Sequence, residues 1–180
     1  MIPFDTLTEL FGIATEPWGS SSLFHVAPPT PRSVQRIQRE LGVIIPNDFV
    51  RIATACPTYG VWLAGIGEDY DHGIHILRLN AVFHAKGDSP VLARHFVLLD
   101  HGHDGDCDCW DTREKTSSGE HPIVYVGLDG VRPCRDARFE NFRSYIENFV
   151  ITNATHNPKP SLRRKAKRII QALGGAVSHK

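Results

Sequence analysis

Residues 90–126 constrain the fold more than any other stretch. Phe96, Val97, Leu98 and Leu99 are consecutive apolar residues, which predicts a buried strand. Residues 101–105 (His-Gly-His-Asp-Gly) carry two glycines and an aspartate, a tight-turn composition. Residues 106–111 (Asp-Cys-Asp-Cys-Trp-Asp) alternate polar and apolar, as a half-buried strand does. A polar turn over 113–120 leads into Ile123, Val124, Tyr125 and Val126, a third strand. Short connections between three strands specify an antiparallel meander, on which the remaining segments must pack.

Several helices are available for that role. Thr30-Pro31 offers a hydroxyl cap and a proline at the first helical position. Val34, Ile37 and Leu41 then share a face, with Arg32, Arg36, Gln38 and Arg39 mostly opposite, and Gly42 ends the run. Pro46 opens a second helix with Asn47 and Asp48 in its first turn and Phe49, Ile52, Ala53 and Cys56 on one face; Pro57 stops it. Cys56 reads as a small buried apolar residue. Residues 61–64 and 74–79 look extended, with a helical turn through Val82 and Phe83. Asp129-Gly130 marks a turn. Asp136 is placed to cap a helix over 137–151 with Phe139, Phe142, Ile146, Phe149 and Val150 inward. The expected architecture is α+β: one domain, an antiparallel sheet of five or six strands, and flanking helices. Residues 1–29, with a short helix through Leu7, Leu10 and Phe11, form an N-terminal arm lying on the body. Residues 30–151 form the domain, and 152–180 a polar linker and a basic tail helix beginning near Ser161.

With 180 residues, 41% of them hydrophobic, the chain supports one sizeable core. No apolar run approaches the roughly 20 residues a membrane-spanning helix needs, and the first residues lack a signal-peptide pattern, so a cytoplasmic protein is expected. That compartment disfavours disulfides among Cys56, Cys107, Cys109 and Cys134. Formal net charge is zero, yet from Lys159 onward there are seven basic and no acidic residues, leaving thirteen basic against twenty acidic before it. The body is thus acidic, which favours basic partners, and the tail basic, which leaves nucleic acid open as a contact.

Candidate chemistry is sparse. His101, His103, Cys107 and Cys109 are zinc-type ligands, but an extended Cys-x-Cys holds its sulfurs about 7 Å apart on one face, which strains chelation of a single ion. Small core cysteines beside turn histidines account for the same residues, so no metal or other cofactor is expected. Asp104, Asp106 and Asp108 start like a calcium loop, yet Cys109 and Lys115 stand where glycine and glutamate are required. Asn153-Ala-Thr155 matches the glycosylation triplet, an isolated match in a chain read as non-secreted. No nucleophile elbow, phosphate loop or His-Glu-x-x-His motif occurs, so an enzyme is not expected. Glu68, Asp69 and Asp71, with Asp104 and Asp108, instead suggest a surface for a cationic partner, and Trp62, Tyr70 and Trp110 are its candidate aromatic anchors.

The order of motifs resembles the SUKH superfamily, which includes bacterial immunity proteins and a yeast cell-wall assembly regulator. The resemblance is carried by Glu40-Leu41-Gly42, then Ile45-Pro46-Asn47-Asp48-Phe49, then Tyr59-Gly60-Val61-Trp62-Leu63. It continues through residues 97–99, residues 105–112, Gly119-Glu120-His121-Pro122-Ile123-Val124 and Phe139-Glu140-Asn141-Phe142. It covers about residues 30–150. Thr58-Tyr59-Gly60 stands where that family often has asparagine-glycine. The resemblance implies an antiparallel sheet flanked by helices and a non-enzymatic role: binding and neutralising a cognate toxin, commonly a nuclease. The partner-binding residues then expected are Glu68, Asp69, Tyr70, Asp71, Asp104 and Asp108. A scaffold or regulatory interaction protein of the same fold is the alternative, and a metal-binding protein the third reading.

Overall fold

The computed structural model describes residues 1–16, 27–56, 63–68, 70, 75–85, 92–101, 107–127 and 133–174, with backbone alone for 101 and 133–137. Its elements are α1 (Phe4–Thr15), α2 (Pro31–Leu41), α3 (Asn47–Ala55), α4 (Ile76–His84), β1 (Phe96–His101), β2 (Cys107–Asp111), β3 (Ile123–Val126), β4 (Pro133–Phe139), α5 (Phe142–Thr155) and α6 (Pro160–Ala172). The class is α+β. The strands lie in sequence order, β1-β2-β3-β4, every pair antiparallel. The meander over 90–126 is therefore present as expected, and β4 extends it.

Burial on both faces of β2 explains its composition. Asp108 and Trp110 point toward the helices: Tyr145 of α5 donates its hydroxyl to Asp108 at 2.6 Å, and Trp110 lies 6.2 Å from Phe49 of α3. Phe49 in turn stacks on Phe142 of α5 at 4.9 Å. Cys107 and Cys109 alternate to the opposite face and are buried, as small core residues would be. Burial raises the Cys109 thiol well above its ordinary pKa, aided by Cys107 and the nearby aspartates, so it stays a neutral thiol rather than a nucleophile.

Four expectations need correction. The sheet has four strands among the described residues, not five or six. Residues 63–66 contribute only an isolated bridge from Gly65 to His75 and one bond from Ala64 N–H to the Leu99 carbonyl; Val61 and Trp62 lie outside the described residues. Residues 76–84, whose first part looked extended, form α4. Its inward residues Ile76, Leu79 and Asn80 have helical spacing, but a polar residue in the stripe masks the period, and its cap is a histidine, His75, whose Nδ1 accepts from Leu77 N–H at 3.2 Å. Residues 137–139 belong to a strand, and the last sheet-flanking helix starts instead at Phe142, capped by Asn141, which accepts from Ser144 N–H at 2.8 Å. The linker before the tail helix is shorter than expected, because α5 continues to Thr155. The Asn153 triplet therefore sits in its last turn, with Asn153 Nδ2 bonded to the Phe149 carbonyl at 3.0 Å.

α1 is more than an arm. Leu7, Leu10 and Phe11 are completely buried, and α1 packs along α5, with Phe11 6.0 Å from Phe149. Arg143 of α5 ties this junction. It pairs with Glu147 at 2.8 Å, reaches Asp48 of α3 at 3.2 Å and donates to the Ile2 carbonyl, while Ile2 N–H donates to Glu147 at 2.8 Å. Buried Asn157 joins α5 to the end of α1 by donating to the Ile13 carbonyl at 2.6 Å. One continuous apolar cluster runs from Ile2 to Ala166, so the segments before residue 30 and after 151 share the core of the middle segment.

Candidate functional site

The N-terminus of α2 organises the most structured surface feature. Thr30 and Ser33 form a reciprocal capping box, with Ser33 N–H donating to Thr30 Oγ1 at 3.1 Å and Thr30 N–H to Ser33 Oγ at 3.0 Å. The same two hydroxyls reach across to residues 66–68. Ser33 donates to the Ile66 carbonyl at 2.7 Å and Thr30 to the Glu68 carboxylate at 2.6 Å. Gly67 is required between them, because a Cβ there would lie 2.1 Å from the Ala27 carbonyl oxygen. The Gly67 carbonyl accepts from His75 Nε2 at 3.1 Å. Since His75 Nδ1 already accepts from Leu77, the proton sits on Nε2, and the ring is fixed from both ends.

That fixed ring supports Tyr70. The two rings meet edge to face at 5.1 Å, and the Arg36 guanidinium covers the other ring at 3.9 Å from its centroid. Arg36 is held in turn by Glu40 at 2.7 Å, and that bond, with a lesser contribution from Tyr70, raises its pKa further. The result is a groove of about 440 Å³ lined by Arg32, Gln35, Arg36, Arg39, Glu40 and Tyr70. Glu68 stands exposed beside it. The groove carries both charge signs: Arg32 and Arg39 have no ion pair among the described residues, while Glu40 and Glu68 supply carboxylates. The Tyr70 ring is thus partly exposed and clamped between a cation and an imidazole.

The expected partner-binding residues are not all gathered there. Glu68 and Tyr70 adjoin the groove. Asp108 lies on β2, half-buried and bonded to Tyr145 beneath α5. Asp69, Asp71 and Asp104 lie outside the described residues, as do His103 and Trp62, and the side chain of His101 is likewise not described. Trp110, 1% exposed, is a core residue. Among the described residues no group of three or more potential metal ligands converges. The arginine side of the groove was missed in the sequence. Arg36 and Glu40 have the i, i+4 spacing of a helix pair, but the stack on Tyr70 joins residues far apart in the chain and has no local signature.

Among the described residues no helix is long and apolar enough to cross a membrane. The chain matches no family model, no curated protein and no solved structure.

Proposed function

We propose that this protein is a non-catalytic protein-binding module of the SUKH type, an immunity protein that neutralises a basic, nuclease-type toxin by direct binding. The observation that carries this reading is Tyr70, a partly exposed ring set between Arg36 and His75 in the lining of the α2 groove. Tyrosine and arginine are the residue types that dominate binding energy at interfaces, and a ring already fixed in place loses little entropy on association. Glu68, Asp69 and Asp71 flank Tyr70 in sequence and supply negative charge for the cations a nuclease turns toward nucleic acid. Arg32 and Arg39 on the other rim select the partner's acidic groups and reject a uniformly basic surface. Neutralisation then follows from occlusion, with no bond made or broken.

The test is titration calorimetry and stopped-flow mixing of this chain with any toxin domain found encoded beside its gene, with nuclease activity followed in parallel. Tight stoichiometric binding and loss of activity are expected, with an association rate that falls as salt rises. Absence of binding, or binding that leaves the nuclease active, ends the proposal.

A further inference from the structure

The tail helix presents two chemically separate faces. At about 100° per residue, Leu162, Ala166, Ile169, Ile170 and Leu173 fall on one stripe, and these are the residues packed into the core cluster. Lys165 flanks that stripe and pairs with Glu9 of α1 at 2.8 Å, and Lys159, which caps the helix, pairs with Glu16 at the end of α1. The opposite arc, about 140° wide, holds Arg163, Arg164, Lys167, Arg168 and Gln171. All five are exposed, and the four cations have no ion pair among the described residues. The helix thus spends its inner charges on the body and leaves four outer charges unused. Its 13 residues rise over about 20 Å.

We propose that this outer face of α6 is a docking surface for the phosphate backbone of duplex nucleic acid. This role is separate from the α2 groove. The outer face carries no aromatic side chain, and its one aliphatic residue, Pro160, sits at the end of the helix, so it lacks the apolar centre on which a protein interface depends. Its apolar stripe is already covered by α1 and α5, so it has nothing to insert into a bilayer. Without aromatics it cannot stack unpaired bases, which disfavours single strands. Four cations on one arc of a helix suffice for backbone contact, which is electrostatic and independent of sequence. Three of the four are arginines, whose planar fork suits phosphate oxygens. The acidic body opposes this attraction at long range, so binding is weak and strongly salt-dependent.

The experiment is fluorescence anisotropy of the full chain with a labelled mixed-sequence duplex of about 20 base pairs. Four phosphate contacts predict a log K against log salt slope of about −3.6, an affinity loss of about 150-fold between 50 and 200 mM salt. The double variant R163Q/K167Q should lower the slope by about 1.8, and R164Q/R168Q, an independent pair on the same arc, should do the same. K159Q/K165Q should leave it unchanged. Circular dichroism of each variant confirms that α6 remains folded. The proposal is overturned if no duplex binding is detected at 50 mM salt, or if neither arc variant alters the slope. It is equally overturned if an oligothymidine of equal length, poly-L-glutamate or vesicles containing phosphatidylserine bind more tightly than the duplex.

Discussion

Asn80 completes the outer edge of β1 by bonding both backbone groups of Leu98: its Oδ1 accepts from Leu98 N–H at 2.8 Å, and its Nδ2 donates to the Leu98 carbonyl at 2.9 Å. The side chain does the work of a neighbouring strand. His84, one turn further along α4, donates to the Phe96 carbonyl at 2.9 Å, and Ala64 N–H covers Leu99. An edge closed by a helix is unavailable to another chain.

Removing that side chain leaves a buried donor and acceptor without partners. N80A is therefore expected to cost about 2–4 kcal/mol. N80D keeps an acceptor for Leu98 N–H but sets a carboxylate against the Leu98 carbonyl, so it should destabilise at neutral pH and recover in part on acidification. Urea unfolding of both variants provides the check; a loss below about 0.5 kcal/mol for N80A would mean that the edge is held by other contacts.

The buried Tyr145 hydroxyl makes stability sensitive to alkali. Burial, then the charges of Asp108 and Asp100, raise its pKa well above 10.0. In the unfolded chain the phenol ionises near its ordinary value, while in the folded chain it stays protonated. Its contribution is complete below about pH 10 and declines as pH rises from there toward the folded value. Wild type should thus lose stability above about pH 10 more steeply than Y145F, whose own cost at neutral pH is about 1–2 kcal/mol for the lost bond to Asp108. Parallel alkaline slopes for the two proteins would contradict this.

At the α2 groove, Y70A is expected to weaken partner binding by about 30-fold or more, since a fixed aromatic anchor contributes about 2 kcal/mol. The ring lies outside the apolar core cluster, so the melting temperature should shift little. Y70F should retain most of the affinity, because ring, cation and imidazole contacts all persist. Equal affinities for wild type and Y70A would place the partner elsewhere.

Arg143 joins Ile2, α3 and α5 through one partly buried guanidinium. R143A is expected to destabilise by about 2–3 kcal/mol, because Glu147, Asp48 and the Ile2 carbonyl lose a common donor. R143K retains the charge but not the forked geometry, and should fall between. Hydrogen exchange should report faster opening of α1 in both variants.

What was legible in the sequence had short-range causes. The meander followed from apolar runs and turn residues, and α2 from Thr30, Pro31 and Gly42, because each signal lies within a few positions of its effect. α4 was hidden because its inward stripe includes Asn80, whose polarity reflects the strand edge it serves and interrupts the apolar period. The start of α5 was misplaced because Phe139 has helical spacing from Phe142 and Ile146 yet pairs with Ile123 in the sheet. At the candidate site, Glu68 and Tyr70 were legible as acidic and aromatic turn residues, whereas their clamps, Thr30, Arg36 and His75, are set by tertiary approach and leave no periodic trace. Asp108 has the same chemistry as Glu68 on paper, but its place in a strand under α5 turns it inward to Tyr145.

The partnership of α1 with α5 has a consequence for synthesis. The strands β1 to β4 are neighbours along the chain and can associate as soon as they emerge. Leu7, Leu10 and Phe11 are made before these strands, but the helix that covers them arrives more than a hundred residues after α1. Throughout that interval a nascent chain carries α1 without its apolar cover, so the packing of this helix closes only after α5 has left the exit tunnel.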